Sequence, residues 1–264
     1  MTVCIAALTL GKEIVTVSDT MITGLMSSAD MNTVKMEPIG QDWNVMWAAD
    51  DITQCVPIAQ RAEKYFTNRE NTLQVARSCM TRAYQQHLAE LRANHVLGGF
   101  GMDMRVFLNT KAQRFSEKES ENFMTRMEQI RGDWEFLAFG FDRHKEGHIF
   151  TVFEPGVDCT YDKPGFCSIG SGKYAADSFL FQVEQSRICT MEKTLVNLLF
   201  AKFMAEKAGA GKHTFVFIKR PGTIATSMSP ELVPTARRIW EECISPKVTD
   251  AIVNEIVFQP IRLA

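Results

Sequence analysis

The chain has 264 residues, of which 45% are hydrophobic and 23% are charged, and its formal net charge is −2 at pH 7. This composition is typical of a globular protein that is long enough to bury one substantial core. The nearly balanced charge argues against binding to nucleic acid or to an anionic membrane surface. No apolar run reaches the roughly 18 residues that a membrane-spanning helix needs.

The first fifty residues are predicted to form two β-hairpins. Residues 3–10 and 13–19 are rich in apolar and β-branched residues and are separated by a glycine-containing turn. Residues 33–40 and 43–50 repeat this pattern, with a turn at 40–42. Between the hairpins, residues 21–33 are small and polar and are predicted to be a loop. We expect these four strands to form an antiparallel sheet.

The hydrophobic period then changes to that of helices. Asp50 and Asp51 mark a helix start, because aspartate is favoured at the first positions of a helix. Residues 71–96 place apolar side chains at steps of three and four, which predicts a long amphipathic helix. On it, His87 is interpreted as a packed residue and not as a ligand. Residues 111–133 are highly charged and are predicted to be a solvated helix, the alternative being an inserted flap or interface element.

Strands return in the second half of the chain, followed by helices. The predicted elements are strands at 134–142 and 147–156, an extended piece at 166–172, helices at 173–185 and 191–207, a strand at 213–220, a helix that begins at Ser229–Pro230, and a final segment at 248–264 that is either helix or strand. Strands and helices occur in separate blocks, which excludes a doubly wound parallel sheet. We therefore predict an α+β fold, a four-layer α-β-β-α sandwich, in one domain covering residues 1–264.

Cysteine and histidine usage bears on compartment and chemistry. The seven cysteines include no Cys-x-x-Cys pair and most have apolar neighbours, which favours buried reduced thiols over a disulfide framework. The chain opens without the basic and apolar regions of a signal peptide, so we expect a cytoplasmic protein. The five histidines include no pair at metal-ligand spacing on a predicted helix, so we expect no metal site.

The start of the chain offers a nucleophile. Removal of a methionine that precedes a small residue would leave Thr2 with a hydroxyl and a free α-amine, whose ordinary pKa of about 7.7–8.0 suits it to accept a proton. Asp19 ends the strand that pairs with the strand after Thr2, so the hairpin brings the two together. Lys35, at the start of the third strand, would keep such an amine neutral. The alternative is that Asp19 caps a turn and Lys35 lies at the surface.

These residues resemble those of the proteasome β-type subunits, which are N-terminal-nucleophile (Ntn) hydrolases, and in particular a bacterial proteasome homologue. In that family Asp follows the N-terminal Thr after 16 residues, and Lys follows after 16 more. Here Thr2 and Asp19 are 17 residues apart, and Asp19 and Lys35 are 16 apart. Thr23 matches a threonine that lines the substrate strand. Ser171, in "SIGSG", matches a serine near the nucleophile's amine. The resemblance covers residues 2 to about 225.

The chain departs from this family at several places. Ala49 stands where the family has a glycine whose backbone N–H forms the oxyanion hole, although an alanine can also supply that N–H. The segment from Glu206 to Gly209 replaces the family's Asp-x-x-Ser, which removes a supporting hydroxyl. A charged insertion near 101–133 and a C-terminal tail near 229–264 have no counterpart in the simplest members.

The resemblance implies a threonine-type endopeptidase that needs no cofactor and no metal. It implies Thr2 as nucleophile with its own amine as base, Asp19, Lys35 and Ser171 around it, Ala49 as oxyanion donor, and Thr23 along the substrate. It also implies a homo-oligomeric ring or stacked assembly, peptide or unfolded-protein substrates, and an ATPase unfoldase as partner. Two alternatives stay open: a non-catalytic proteasome-like scaffold subunit, and an Ntn amidohydrolase that acts on a small amide.

Overall fold

A computed structural model describes residues 2–23, 28–30, 34–40, 42–49, 51–229 and 231–244. The strands are β1 (Cys4–Leu8), β2 (Ile14–Asp19), β3 (Met21–Thr23), β4 (Ser28–Asp30), β5 (Met36–Pro38), β6 (Trp43–Ala49), β7 (Trp134–Phe141), β8 (Gly147–Phe153), β9 (Val157–Thr160), β10 (Phe166–Ile169), β11 (Thr214–Lys219) and β12 (Thr226–Ser227). The helices are α1 (Cys55–Phe66), α2 (Leu73–Leu97), α3 (Met104–Arg114), α4 (Glu117–Gln129), α5 (Lys173–Gln182), α6 (Met191–Lys207) and α7 (Leu232–Ile239). Short 3-10 turns cover Ile52–Gln54 and Gly98–Phe100, and a π-helical turn at Trp240–Ile244 follows α7.

The described strands form two five-stranded antiparallel sheets and one small hairpin. The first sheet has the order β10-β1-β2-β11-β12, the second has the order β5-β6-β7-β8-β9, and β3 pairs with β4. Both predicted hairpins are present, as β1–β2 and β5–β6. They belong to different sheets, however, so the expectation of one four-stranded sheet is wrong. The fold is a mixed α and β fold with two antiparallel sheets.

Both faces of β1 are buried, in two separate cores. Val3, Ile5 and Ala7 pack towards α5 and α6. The alternate residues, Cys4 and Ala6, pack against residues of the second sheet. Successive side chains point to opposite faces of any strand. In β1 the side chains on both faces are apolar because both faces are covered.

The second sheet is likewise covered on its other face, by α1 and α2. Trp47, Phe136 and Phe150 pack there against buried residues of these helices such as Ile58 and Met80. The amphipathic helix predicted over 71–96 is α2, and His87 on it packs edge-on against Trp134. The helices α1 and α2 therefore cover one face of the second sheet.

Residues 104–129 form two helices, whereas the sequence predicts one helix over 111–133. Asp103 caps α3, and Ser116 begins α4 with a capping box that it forms with Glu119. Phe107 and Phe123 are buried between these helices and the end of α2. The segment is therefore a helical hairpin with a small apolar core of its own, and not a single solvated helix.

Other boundaries differ from the sequence expectations. Residues 21–23 and 28–30 are paired strands although they were expected to be loop, because cross-strand pairing can override weak β-propensity. The predicted helix after 229 begins at Leu232, since Ser229 forms a turn in which its carbonyl accepts the Leu232 N–H. Asp50, Pro230 and the segment 248–264 lie outside the described residues, as does most of the tail. Among the helices of the described residues, none combines the length and apolarity required to cross a membrane.

Candidate active site

Three buried side chains meet at the start of β1. Nζ of Lys35 donates to Oγ1 of Thr2 at 2.7 Å and to Oδ1 of Asp19 at 2.7 Å. The exposed fractions are 8% for Thr2, 2% for Lys35 and 0% for Asp19. Because the threonine oxygen accepts this hydrogen bond from Lys35, the hydroxyl proton of Thr2 points away from Lys35.

The β1–β2 hairpin brings Asp19 to this position. The backbone N–H of Asp19 donates to the carbonyl of Val3 at 3.1 Å, which continues the strand pairing up to the residue after Thr2. On its other side Asp19 pairs with Thr214 of β11. Asp19 is therefore fixed between two strands, and its side chain is held at the end of the sheet where the chain begins.

Buried ion pairs are stable only when further hydrogen bonds offset the loss of water. Here Asp19 accepts the backbone N–H of Gly211 at its second oxygen, at 2.9 Å. Lys35 donates to Thr2 as well as to Asp19. Cys4, which lies next to Thr2 in the chain, has a thiol pKa that burial raises to about 12, so this thiol stays protonated.

The backbone of Thr2 lies against a loop between β10 and α5. Its N–H donates to Oγ of Ser171 at 3.1 Å, and its carbonyl accepts the N–H of Gly172 at 3.1 Å. Gly170 has φ +89°, and a Cβ there would lie 2.4 Å from the Thr2 carbonyl oxygen. A side chain at Gly170 is excluded by the close approach and by the left-handed backbone. The loop with the sequence "SIGSG" therefore holds the backbone of Thr2 through the Ser171 hydroxyl and the Gly172 N–H.

Glu135 connects this loop to the second sheet. One of its carboxylate oxygens accepts the Gly170 N–H at 2.7 Å, and the other accepts Nζ of Lys173 at 2.6 Å. Burial alone would lower the pKa of Lys173, but the hydrogen bond and charge of Glu135 outweigh it and raise that pKa. Lys173 is therefore a fixed cation at the edge of the loop that holds Thr2.

An open cleft of about 450 Å³ lies over Thr2. Ala49, Ser171 and the Glu135–Lys173 pair line it, together with the aromatic side chains of Trp134 and Tyr174. Ala49 thus shares a cleft with Thr2. Thr23, in contrast, lies in β3 opposite Ser28, and the position of its side chain is outside what the structure describes.

Glu206 and Gly209, where the chain departs from the family motif, have local partners at the end of α6. Glu206 forms ion pairs with Lys202 and Arg237. Gly209 has φ +99° just after the end of α6, a position where glycine commonly ends a helix. The departure from serine at this position therefore has a local cause, namely the left-handed backbone after α6. Within the part of the chain that the structure describes, no three His, Cys, Asp or Glu side chains are grouped so that they could hold a metal ion.

Solved structures provide the comparison for the fold of this chain. The mutant Anbu (Gly-1) from Hyphomicrobium sp. strain MC1 has a TM-score of 0.63 at 12% sequence identity, over 95% of this chain and 100% of that one. Anbu (ancestral beta-subunit) from Yersinia bercovieri has a TM-score of 0.62 at 11% identity, over 98% of each chain. The fold is similar to that of Anbu. No family model matches the sequence. No curated protein matches it either.

This comparison corrects the family assignment made from the sequence. The assignment to the proteasome β-type subunits as a bacterial proteasome homologue is wrong, because the similar structures are Anbu proteins, whose name points to a proteasome-related but distinct family. At 11–12% identity the similarity extends to the fold alone. The spacing of a few motif residues was a correct guide to a proteasome-related fold but not to the family.

Sequence reasoning missed two groups of the candidate site, namely Glu135, which contacts the loop that holds Thr2, and Gly211, which contacts Asp19. Glu135 is the one charged residue in the apolar strand "WEFLAFGF", and this isolation was a signal that it has a specific partner. Gly211 carried no such signal, because its contribution is a backbone N–H directed at Asp19. Both contacts are non-local, which is why neither strand nor helix periodicity could predict them.

Proposed function

We propose that the protein hydrolyses amide bonds, with Thr2 as the nucleophile once Met1 has been removed. The observation that supports this is the position of Lys35, whose Nζ lies 2.7 Å from both Oγ1 of Thr2 and Oδ1 of Asp19. A threonine hydroxyl is a weak nucleophile, and a buried ammonium group beside it stabilises the negative charge that develops on the oxygen.

The proton acceptor in this proposal is the α-amine of Thr2 itself. Removal of Met1 would convert the nitrogen that now donates to Ser171 into a primary amine, held 3.1 Å from Oγ of that serine. An α-amine has an ordinary pKa of about 7.7–8.0 and is therefore partly neutral at physiological pH. The amine takes the hydroxyl proton directly or through a water molecule, and Lys35 favours its neutral form.

The proposed reaction has two halves. In the first, Oγ1 of Thr2 bonds to the carbonyl carbon of the substrate, the carbon–nitrogen bond breaks, and the leaving amine takes the proton from the Thr2 ammonium group. In the second, water adds to the resulting ester with the Thr2 amine again as base, and the acid product leaves. The N–H of Ala49 is the proposed donor to the oxyanion, because Ala49 lines the cleft over Thr2; such a donor is worth about 10²–10³ in rate.

Measurement of intact mass tests this proposal. The purified protein is incubated with a β-lactone or with a peptide epoxyketone, and its mass is compared with that of the untreated protein. We expect a mass one methionine short and a single adduct that maps to residue 2, and Thr2→Ala as matched control should show no adduct. A full-length mass together with no adduct would overturn the proposal.

The substrate class is the finer part of the proposal. Cleavage within peptides is the main form, and hydrolysis of a small amide is the alternative. Fluorogenic peptides of four residues and single aminoacyl amides distinguish the two, because only the first would fill an open cleft of about 450 Å³ along its length. Faster turnover of the single aminoacyl amides would make the protein a small-amide hydrolase.

We also propose that the layers follow the order α-β-β-α and that the chain works as a homo-oligomer in a ring or stack. Support for the layer order comes from helices on one face of each sheet and the opposite sheet on the other.

Support for the homo-oligomer is the description of the similar Yersinia bercovieri protein as a subunit. Light scattering of the purified protein tests it, and a monomer at micromolar concentration would contradict it.

The second candidate function is that of a non-catalytic scaffold with the same fold. The observation that favours it is that Glu206, at the position of the family's aspartate, forms ion pairs with Lys202 and Arg237. Fold similarity to Anbu at 11–12% identity gives no evidence of endopeptidase activity, so it supports this function better than it supports the endopeptidase. The absence of any adduct in a protein that has lost Met1 would favour the scaffold.

A further inference from the structure

A cluster of three charged side chains lies next to the segment whose Gly211 N–H donates to Asp19. It consists of Lys202 and Glu206 on α6 and Arg237 on α7, and is called the α6–α7 charge cluster below. Arg237 donates to both carboxylate oxygens of Glu206, at 2.6 and 2.8 Å, and Lys202 pairs with the same carboxylate. The exposed fractions are 0% for Lys202 and 9% for Glu206.

Burial of charged side chains costs free energy because they lose contact with water, so this cluster should have a role that offsets the cost. Burial lowers the pKa of Lys202, and the charge and hydrogen bond of Glu206 oppose that effect. The hydrogen bonds that Arg237 donates to Glu206 in turn raise the pKa of Arg237. The proposed reaction uses none of the three groups.

The charge cluster converges on one backbone carbonyl. Nζ of Lys202 donates to the carbonyl of Lys212 at 2.9 Å, and Arg237 donates to the same oxygen at 3.1 Å. Lys212 directly follows Gly211, whose N–H donates to Oδ2 of Asp19 at 2.9 Å. Two cations therefore hold one end of a two-residue segment whose other end holds Asp19.

The N-terminal side of this segment is also restrained. The N–H of Gly209 donates to the carbonyl of Glu206 at 2.9 Å, and the N–H of Ala210 donates to the carbonyl of Ala205 at 3.1 Å. On the other side β11 begins at Thr214 and pairs with Asp19. The position of the Gly211 N–H is thus set by α6, by β11 and by the charge cluster.

We infer that the α6–α7 charge cluster is a positioning device for the proposed nucleophile, with Arg237 as its outermost member. By holding the Lys212 carbonyl, the cluster directs the Gly211 N–H at Asp19, and Asp19 holds Lys35 against Thr2. Among the described residues that line the cleft over Thr2, Arg237 is not included. Helix α7 is in this way coupled to the site at the start of β1. The last link, from Asp19 to the reactivity of Thr2, rests on the proposed function.

The test compares Arg237→Met with Arg238→Met. Arg238 is the neighbouring residue on α7, and its ion pair with Glu242 is exposed, with exposed fractions of 63% and 58%. It therefore serves as a matched control for loss of charge and for helix propensity. Methionine keeps an apolar stem at position 237, where the arginine lies over the Phe203 ring.

The first readout is hydrogen exchange of the Gly211 amide, measured by NMR on protein labelled at glycine. We expect exchange of this amide to accelerate about tenfold or more in Arg237→Met and to be unchanged in Arg238→Met. The amide of Gly172, which donates to Thr2, serves as the internal reference. Equal exchange of Gly211 in all three proteins would overturn the inference, whether or not the protein is an enzyme.

The second readout is the rate constant for β-lactone labelling of Thr2. A positioning role predicts a rate constant about tenfold lower in Arg237→Met at unchanged β-lactone affinity, and partial rescue in Arg237→Lys. A merely structural role would lower the fraction of molecules that react and leave the rate constant of the rest unchanged, and that result would overturn the inference. Failure of the wild type to label would refute the proposed function instead, and Gly211 exchange would then decide the positioning of Asp19 by itself.

Discussion

Nζ of Lys35 lies 2.7 Å from Oγ1 of Thr2, and both side chains are buried. Thr2 lies two residues before β1 and Lys35 lies directly before β5, so the contact bridges the two sheets. Its consequences are open to direct measurement.

Replacement of Lys35 by alanine should lower the rate of Thr2 labelling by about 10². The reason is that the hydroxyl loses a charged hydrogen-bond donor that stabilises negative charge on its oxygen. Labelling by a β-lactone, followed by mass spectrometry, measures the effect. Lys12→Ala is the control, because Lys12 forms an exposed ion pair with Glu146.

Loss of Lys35 also leaves the buried carboxylate of Asp19 without its cation, which typically costs about 3–5 kcal/mol. The variant Lys35→Met combined with Asp19→Asn removes both charges and should recover most of the stability without recovering labelling. Wild-type labelling in Lys35→Ala would remove Lys35 from the proposed mechanism.

Glu135 should affect labelling through the Gly170 loop. Glu135→Ala removes the acceptor of the Gly170 N–H and should slow labelling by about tenfold, whereas Glu135→Gln keeps an acceptor oxygen and should slow it less. Because Glu135 and Lys173 are each about a third exposed, their ion pair should contribute about 1 kcal/mol or less to stability. Identical labelling rates for the two variants would show that the backbone hydrogen bond is not the cause.

Gly170 is expected to tolerate no side chain. Alanine there has to adopt φ near +89°, which costs about 1–2 kcal/mol, and its Cβ would also collide with the Thr2 carbonyl. We expect a lower unfolding midpoint in urea and slower labelling of Thr2. Gly99→Ala is the matched control, since a Cβ at position 99 meets open space, and it should leave both quantities nearly unchanged.

Stability should depend on pH through His148, whose ring stacks on Trp43 and whose Nδ1 lies 2.6 Å from Asp162. Burial alone would lower the pKa of His148, but the hydrogen bond and charge of Asp162, with the charge of Asp142, raise it overall above the ordinary 6.5. A raised pKa in the folded state means that the charged form stabilises the fold. This contribution is fully present below pH 6.5 and is lost as the pH rises through the higher folded-state pKa.

Urea unfolding of the wild type and of His148→Gln between pH 5.5 and about 9 measures this effect. The advantage of the wild type should be largest at the acid end and should shrink towards the alkaline end. Asp162→Asn should weaken the trend, because it removes the nearer carboxylate and keeps an acceptor for the Ile149 N–H. An advantage that grows with pH would contradict the assignment.

Local residue patterns predicted part of the fold and of the candidate site, and the rest was visible only in the tertiary structure. Residue patterns within short windows predicted the β1–β2 hairpin, the helix α2 and the consecutive helices α5 and α6, because hydrophobic period and turn residues act locally. Hairpin pairing was enough to place Asp19 next to the start of the chain. Family membership could not be read in this way, since a few matching positions were compatible with more than one family of the same fold.

Tertiary structure alone decided which groups surround Thr2, Asp19 and Lys35 and hold them in place. Glu135 reaches Gly170 across 35 residues of sequence, and the Gly211 N–H reaches Asp19 across 192. Such contacts depend on how the sheets and helices pack, and a backbone N–H carries no side-chain signal in the sequence. The sequence by itself therefore determined many of the elements and the proximity of Asp19 to Thr2, because both follow from local patterns, and packing determined the loops and charges that surround them.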